Sequence, residues 1–216
     1  RGEMSTEVLL NEFKEYSEHP YRVLSEYKKQ GKKVIGMLPY YAPAELVVAA
    51  GMVPMGIWGS NSKTIAQAKE HCATFYCTIA QLALEMLLDG TLDQLDGIIT
   101  PTICDTLRPM SQNIRVAMSD KLPCIFLAHP QYRKPAFGLQ FTVDQYMHVK
   151  SELEKIAGKE ITDDDLRAAV RRRNRLRAAQ LEMFALQANQ PAAMSGVDLM
   201  STMFAGTFSF DIEAYT

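Results

Sequence analysis

The stretch ITPTICDTLRPMSQ, residues 99–112, carries the end of an apolar run directly into a helix-like pattern. The run begins with LDGIIT at 95–100, and a short, continuously apolar run is typical of a parallel strand that is covered on both faces. Cys104 and Asp105 lie just past its end. Ligands of α/β proteins gather outside the carboxyl ends of the strands. We therefore expect this turn to lie at the edge of a functional site.

Three other segments have the same strand character: KVIGML (33–38), VPMGIW (53–58) and PCIFLA (123–128). Helix-like segments separate the four runs. One of them, APAELVVAAG, has Pro43 near its first turn and Gly51 beyond its end. Strands that alternate with helices predict an α/β protein. The expected fold is a Rossmann-like parallel sheet with helices on both faces, followed by an all-helical segment.

The chain is predicted to have three parts. Residues 1–32 form N-terminal helices, interrupted at His19-Pro20 because a proline ends the helix that precedes it. Residues 33–135 form the Rossmann-like domain, and residues 136–216 form a helical segment in which Thr162 is the expected N-cap of one helix. The apolar end of that segment has no obvious terminator, so we expect its C-terminal side to be incomplete.

The overall charge and hydrophobicity argue against two classes of partner. The 216 residues carry a formal net charge of −2, which gives no basic surface for nucleic acid. The basic run RAAVRRRNRLR at 167–177 has arginines on several faces of one helix, which is typical of a solvated helix face. No run approaches the ~18 apolar residues of a membrane-spanning helix. We therefore expect a cytoplasmic protein with neither nucleic-acid nor membrane partners.

The sequence contains four cysteines, Cys72, Cys77, Cys104 and Cys124, which are too few for a disulfide scaffold in a chain of this size. Cys124 lies at the amino end of its strand and Cys72 in a loop, so both are expected to be structural. Cys77 just precedes a helix, whose first N–H groups favour a thiolate. Together with Cys104 it allows an iron–sulfur or zinc site, although no Cys-x-x-Cys occurs.

Other chemistries can be compared with the residues at the strand ends. The dinucleotide fingerprint, the P-loop and the Gly-x-Ser-x-Gly nucleophile elbow do not occur in the sequence. A nucleophilic pair of Cys104 and His129 is possible, because adjacent strand ends could bring these residues together. The residues alone therefore leave a thiolate metal or cluster site and a cysteine nucleophile open.

Three stretches carry a resemblance to a known family: GKKVIGMLPYYAPAELVVAAGMVPMGIWG, FYCTIAQLALEMLLDGTLDQLDGIITPTICDTLRPMSQN and LAHPQYRK. The chain resembles the (R)-2-hydroxyacyl-CoA dehydratase family, which includes the 2-hydroxyglutaryl-CoA dehydratase D-component proteins and benzoyl-CoA reductase subunits. The likeness covers roughly residues 10–190. Its most specific elements are AAGMVPMGIWG, CDTL and the two cysteines 27 positions apart, Cys77 and Cys104.

The resemblance implies a cofactor and a set of site residues. Subunits of this family hold a [4Fe–4S] cluster through three cysteines, and Cys77 and Cys104 match the first two ligand positions. The third ligand comes from a second α/β domain, so this chain is expected to be truncated before that domain and inactive by itself. The residues expected to line the cluster cavity are Tyr41, Asp105, Arg108 and His129.

The resemblance also implies a reaction and its partners. The family removes water from a 2-hydroxyacyl-CoA to give the 2-enoyl-CoA through a ketyl radical, after one-electron activation by an ATP-dependent iron–sulfur activator. The chain looks similar to beta-type subunits, whose expected partner is an alpha-type dehydratase subunit in a heterodimer. An oxygen-sensitive lyase of amino-acid fermentation in an anaerobic bacterium is the expected setting.

Three rival functions stay open at this point. The chain could be a subunit of the benzoyl-CoA reductase type. It could also be a non-catalytic α/β module that binds an acyl-CoA. A zinc or cysteine-nucleophile hydrolase is the third, since Cys104 and His129 both follow strands.

Overall fold

The structure is a computed structural model that describes residues 5–38, 41–59, 63–119, 121–188 and 192–208. These residues form four strands and eight α-helices. Pro39, Tyr40, Ser60, Asn61 and the tail 209–216, which the sequence analysis placed at strand ends and in the helical segment, lie outside the described residues. The elements follow in the order α1 (Thr6–Glu18), α2 (Pro20–Lys29), β1 (Val34–Met37), α3 (Ala44–Ala49), β2 (Val53–Gly56), α4 (Thr78–Leu88), β3 (Gly97–Pro101), α5 (Leu107–Ala117), β4 (Cys124–Leu127), α6 (Ala136–Ala157), α7 (Asp163–Leu186) and α8 (Gly196–Phe208), with a 3₁₀ helix, Gln67–Glu70, before α4.

The four strands form one parallel sheet in the order β2-β1-β3-β4. In the register, Ile35 of β1 lies opposite Pro54 of β2 and Gly97 of β3, and Ile99 of β3 lies opposite Ile125 of β4. The chain moves outward from β1 to β2 and then crosses back to β3. In such sheets the connections after the two central strands diverge and leave a crevice at their carboxyl ends. The predicted α/β class is confirmed, and the crevice lies after β1 and β3.

Helices cover the sheet on both faces, which explains why the strands are continuously apolar. Successive residues of a strand point to opposite faces, so Ile98 packs in one core and Ile99 in the other. The first core contains residues of α2, α4 and α5, and the second contains residues of α3, α6 and α7. Both cores include side chains that are fully buried. The helices after β4 therefore supply part of the sheet's second covering layer.

A partly buried ion pair joins the N-terminal helices to the sheet. Helix α1 ends at Glu18 and α2 begins at Pro20, as the proline predicted. Lys28 of α2 donates to both carboxylate oxygens of Asp96, at 2.9 and 2.7 Å. The backbone N–H of Val34, at the start of β1, donates to the same carboxylate at 2.7 Å. Asp96 thus links α2 to the amino ends of β1 and β3.

The first two helices after β4 begin at identifiable N-cap residues. Helix α6 starts at Ala136 after Pro135, whose backbone is extended. Helix α7 begins as predicted: the Thr162 hydroxyl accepts from the backbone of Asp165 at 3.2 Å, and the Asp165 carboxylate accepts from the backbone of Thr162 at 3.0 Å. The domain boundaries at 32/33 and 135/136 stay predictions.

Helix α8 returns to the carboxyl end of β2. The indole N–H of Trp58 donates to the hydroxyl of Thr207 at 3.1 Å, and its ring meets Phe204 edge to face with centroids 5.1 Å apart. A Cβ at Gly56 would approach Thr207 as closely as 3.1 Å. This close approach brings α8 over the carboxyl ends of β1 and β2, where α8 closes one side of a large cavity.

A substitution in the first turn of α6 should destabilise the fold. In Gly138→Ala the new Cβ would meet the carbonyl oxygen of Tyr132 and lie 3.1 Å from the Cα of Arg133, which are backbone atoms that cannot rotate away. We expect a loss of ~1–3 kcal/mol in the free energy of unfolding, measured by chemical denaturation. The matched control is Gly196→Ala at the start of α8, where a Cβ meets no atom within 4 Å. Equal stabilities of the two variants would contradict this reasoning.

Candidate functional site

Cys77 and Cys104 are exposed at the beginnings of two neighbouring helices. Cys77 is the N-cap residue of α4, and Cys104 lies in the turn between β3 and α5. The carbonyl of Cys104 accepts from the backbone N–H of Arg108 at 3.1 Å, which starts the turn into α5. Helices that cross between parallel strands begin at the carboxyl edge of the sheet. Both thiols therefore lie at that edge, on the layer that α4 and α5 share.

A buried carboxylate fixes the segment that leads to Cys77. Glu85 of α4 accepts hydrogen bonds from the backbone N–H groups of residues 66–68, at 3.0, 3.3 and 2.8 Å. Burial alone would raise the pKa of Glu85, but the three N–H donors outweigh it and hold the pKa below its ordinary value. Closer to the cysteine, the side-chain amide of Gln81 donates to the carbonyl of Tyr76 at 2.7 Å. The approach to Cys77 is thus held at two points along α4.

The other two cysteines are buried, in agreement with the structural role expected for them. The thiol of Cys72 accepts from the side-chain amide of Asn113 at 3.8 Å, which joins the segment before Cys77 to α5. The thiol of Cys124 donates to the carbonyl of Ser111 at 3.7 Å. Burial raises the pKa of both thiols. These groups are neutral thiols of the core near pH 7.

A small pocket of about 150 Å³ lies at the crevice between the strand ends. Tyr41 follows β1, Thr102 follows β3 and His129 follows β4, and all three line it. The backbone N–H of His129 donates to the hydroxyl of Thr102 at 2.8 Å, and the rings of Tyr41 and His129 meet edge to face with centroids 5.8 Å apart. Ile103, which precedes Cys104, also lines the pocket. The pocket therefore adjoins the turn that carries Cys104.

Two residues of this small pocket have unusual features, one in its backbone and one in its hydrogen bonding. Tyr41 has φ of 65°, a left-handed conformation that is costly for a residue with a side chain and that tends to occur at functional sites. Nε2 of His129 is buried and has no hydrogen-bond partner among the described residues. Burial lowers the pKa of His129, a hydrogen bond to the backbone of Tyr41 raises it and the charge of Arg133 lowers it, with a net decrease. A neutral imidazole therefore lines the pocket.

The structure brings together only some of the residues expected to line a cluster cavity. Tyr41 and His129 share the small pocket. Asp105 and Arg108 instead lie exposed around the first turn of α5, with Arg108 Nε 3.8 Å from Asp105 Oδ1, and they line neither of the cavities described here. Both residues are nevertheless close in sequence to Cys104, on the same surface.

A larger cavity of about 1000 Å³, which the sequence analysis missed, lies on the other side of Tyr41. We call it the helical cavity. Its walls are the ends of β1 and β2 and parts of α3, α6, α7 and α8. Val170, Arg173 and Arg177 line it from α7, and their spacing of three and four residues is the one signal in the sequence that could have indicated an inward-facing stripe. Tyr41 lines both cavities, so it separates the helical cavity from the small pocket.

The described residues offer few other candidates for a metal site or a membrane-spanning segment. The one group of three or more His, Cys, Asp or Glu side chains close enough to share a metal ion in these ranges is Glu15, Glu18 and His19, next to one another at the end of α1. Neither Cys77 nor Cys104 belongs to it. Among the helices that the structure describes, none is long and apolar enough to cross a membrane.

Comparison with known proteins gives the family of the chain. The family model for the 2-hydroxyglutaryl-CoA dehydratase D-component matches residues 39–216. The chain belongs to this family. The match includes the whole sheet after β1 and both exposed cysteines, and it confirms the resemblance on which the sequence analysis relied.

Individual relatives within the dehydratase family are beta subunits. The chain is 54% identical over 213 residues to the beta subunit of (R)-2-hydroxyglutaryl-CoA dehydratase from Acidaminococcus fermentans, covering 99% of this chain and 56% of that protein. It is 38% identical over 167 residues to the beta subunit of (R)-phenyllactyl-CoA dehydratase from Clostridium sporogenes, covering 77% and 44%. It is 33% identical over 203 residues to the beta subunit of lactoyl-CoA dehydratase from Anaerotignum propionicum, covering 94% and 53%. The chain therefore spans about half the length of these relatives.

The difference in burial among the cysteines should be visible in their reactivity. Under native and anaerobic conditions, after reduction of the protein and removal of the reductant, an aromatic disulfide reagent should modify Cys77 and Cys104 rapidly, because both are exposed, and Cys72 and Cys124 only after unfolding. Cys77→Ser and Cys104→Ser should each remove one fast-reacting thiol, whereas Cys124→Ser should remove none. Fast reaction of Cys124 in the folded protein would contradict the burial described here.

Glu85 should make the stability of the fold dependent on pH in acid. Because its folded-state pKa lies below the unfolded-state value, its stabilisation is fully present above the ordinary glutamate pKa and is lost as the pH falls through the lower folded-state pKa. At neutral pH, Glu85→Gln should lower the free energy of unfolding by ~1–3 kcal/mol and reduce this acid dependence. Glu182→Gln, at an exposed site on α7, is the matched control and should change neither. An unaltered acid dependence in Glu85→Gln would contradict the assignment.

Proposed function

We propose that this chain forms part of the beta-type subunit of an (R)-2-hydroxyacyl-CoA dehydratase, a lyase that removes water from a 2-hydroxyacyl-CoA to give the 2-enoyl-CoA. The observation that carries the proposal is the pair of exposed thiols, Cys77 and Cys104, at the beginnings of α4 and α5 in a member of the dehydratase family. Buried cysteines would suit a merely structural role. Exposed cysteines at the carboxyl edge of a parallel sheet suit a ligand role.

The donor set at this edge fits a [4Fe–4S] cluster. Cys77 is the N-cap residue of α4, and cysteine sulfurs are the usual ligands of iron–sulfur clusters. Cys77 and Cys104 would hold two of the irons of such a cluster. In the proposal the third cysteine comes from outside the described residues. When bound, the cluster would supply one-electron chemistry.

The surroundings of the two cysteines support a covered rather than a solvated site. Phe75 and Ile79 lie on either side of Cys77, Ile103 lies beside Cys104, and all three side chains are exposed. Exposed apolar side chains around a reactive site are typical of surfaces that another protein covers. In the proposal an alpha-type subunit, or further residues of the same protein, covers them and limits the access of water and oxygen to the thiolates. An ATP-dependent activator is the second proposed partner.

The substrate class follows from what the relatives have in common. The names of these enzymes specify hydroxyglutaryl, phenyllactyl and lactoyl groups, which differ in size and polarity but share the 2-hydroxyacyl thioester. We therefore assign a 2-hydroxyacyl-CoA and leave the rest of the acyl group open. The small pocket of about 150 Å³ next to Cys104 is too small for a CoA thioester. The small volume supports a subunit that relays electrons, or modulates electron transfer, instead of binding the substrate. The proposed location is the cytoplasm of an anaerobic bacterium.

The test uses the natural protein that contains these residues, expressed with its alpha-type partner and purified without oxygen. The expected result is a brown protein with iron and sulfide, and dehydration of a 2-hydroxyacyl-CoA when activator and ATP are added. Cys77→Ser and Cys104→Ser should lower the iron content of this subunit and abolish most of the activity. Cys124→Ser, a buried control, should keep both.

Three outcomes would contradict the proposal. A colourless protein that holds zinc and hydrolyses thioesters would favour the hydrolase. Binding of acyl-CoA without any metal would favour a non-catalytic module. Full iron content in both Cys77→Ser and Cys104→Ser would move the cluster away from the carboxyl edge of the sheet.

A further inference from the structure

The helical cavity contains a cation that no carboxylate among the described residues neutralises in an ion pair of its own. Four charged side chains line it: Glu45, Lys150, Arg173 and Arg177. Lys150 pairs with Glu154 at 2.6 Å, and Arg177 pairs with Glu45. Arg173 has no ion pair of its own within the described part of the chain, and its Nε is buried without a hydrogen-bond partner there. One positive charge is therefore left over on the wall of the cavity.

The surroundings of Arg173 make this excess charge costly. Burial lowers the pKa of Arg173, the nearby carboxylate of Glu45 raises it and the guanidinium of Arg177 lowers it, with a net decrease. Glu45 is already engaged by Arg177, so it neutralises only one of the two guanidinium groups. A half-buried guanidinium with an unsatisfied N–H is stabilised by an anion, and above all by a carboxylate that it can bind with two parallel hydrogen bonds.

The remainder of the helical cavity is apolar. At about 1000 Å³ it lies at the upper end of the ~300–1,000 Å³ that is typical of small-molecule sites. Apart from the four charged residues, the polar side chains of the wall are Tyr41, Trp58, Tyr146, Gln180 and Thr207, and the indole N–H of Trp58 already donates to Thr207. The apolar residues of the wall include Met37, Met147, Met200, Met203 and Phe204. Flexible methionine side chains adapt to apolar ligands of different shapes.

We propose that the helical cavity is a binding site for a monocarboxylate with an apolar body, whose carboxylate pairs with Arg173 and whose hydrocarbon part lies among the methionines. A single unmatched cation favours a single negative charge, so the free acid fits this wall better than a CoA thioester with its several phosphate charges. The site is separate from the cysteines: it lies on the layer of α3, α6 and α7, with Tyr41 between it and the small pocket. The proposal needs neither a cluster nor a partner subunit.

The experiment measures binding to the natural protein that contains these residues, by isothermal titration with decanoate and with its neutral counterpart decanol. Decanoate should bind at least about tenfold more tightly than decanol, a difference of ~1.4 kcal/mol. Arg173→Met, which keeps an unbranched apolar stem and removes the charge, should abolish that preference. Arg171→Met, at an exposed position of the same helix, should keep it. Val170→Trp, which places a large ring in the cavity, should weaken the binding of both ligands.

Several results would overturn the assignment. Equal affinities for decanoate and decanol would leave an apolar cavity without a carboxylate site. Retention of the preference in Arg173→Met, or its loss in Arg171→Met, would place the anion elsewhere. Binding that Val170→Trp does not weaken would move the ligand out of the cavity. The absence of decanoate binding in the natural protein would show that other residues of that protein fill the space.

Discussion

The pairing of β1 with β3 in the middle of the parallel sheet determines where this protein can hold a ligand. Because the chain crosses back after β2, the connections that leave β1 and β3 turn toward opposite layers. Tyr41 follows one of these strands and Thr102 the other, and the crevice between them forms the small pocket. The backbone at Tyr41 is left-handed, as if the turn out of β1 were constrained by this arrangement. The cysteines and the helical cavity are arranged around that crevice.

The two faces of the sheet have acquired different chemical character at the same edge. On the layer of α4 and α5, the edge presents thiols surrounded by apolar side chains, which suits soft metal chemistry in a covered site. On the layer of α3, α6 and α7, the edge encloses a large apolar volume with arginines on its wall. Tyr41 contributes to both the small pocket and the large cavity. The edge of the sheet therefore provides two separate chemical environments.

Two charged residues that are buried or half-buried, Glu85 and Arg173, differ in whether their charge has hydrogen-bond partners. Glu85 receives three backbone N–H donors, so its carboxylate is fully compensated, and it stabilises the segment before Cys77. Arg173 lines an apolar cavity, and its Nε–H has no hydrogen-bond acceptor in the described part of the chain. A compensated buried charge indicates a structural role, whereas an uncompensated one indicates that a partner is missing. The contrast between these two residues separates what holds the fold from what is available for binding.

The sequence determined the local structure because local rules act over a few residues. Apolar runs gave the four strands, Pro20 separated α1 from α2, and Thr162 with Asp165 began α7. The positions of Cys77 and Cys104 just before helices also followed from the pattern, and the family followed from the motifs around them.

Tertiary structure alone decided which of these residues meet. The resemblance to the family grouped Asp105 and Arg108 with His129 in one cavity, but the first turn of α5 directs the former pair outward while His129 faces Tyr41. The sequence also predicted that the arginines of α7 lie on a solvated helix face. Which face of a helix is buried depends on the elements that pack against it, and the local pattern does not contain that information. Only the packing of α8 across the end of β2 encloses Arg173 in a cavity. Contacts between residues more than a hundred positions apart leave no local trace in the chain, so the helical cavity could be seen only once the helices were in place.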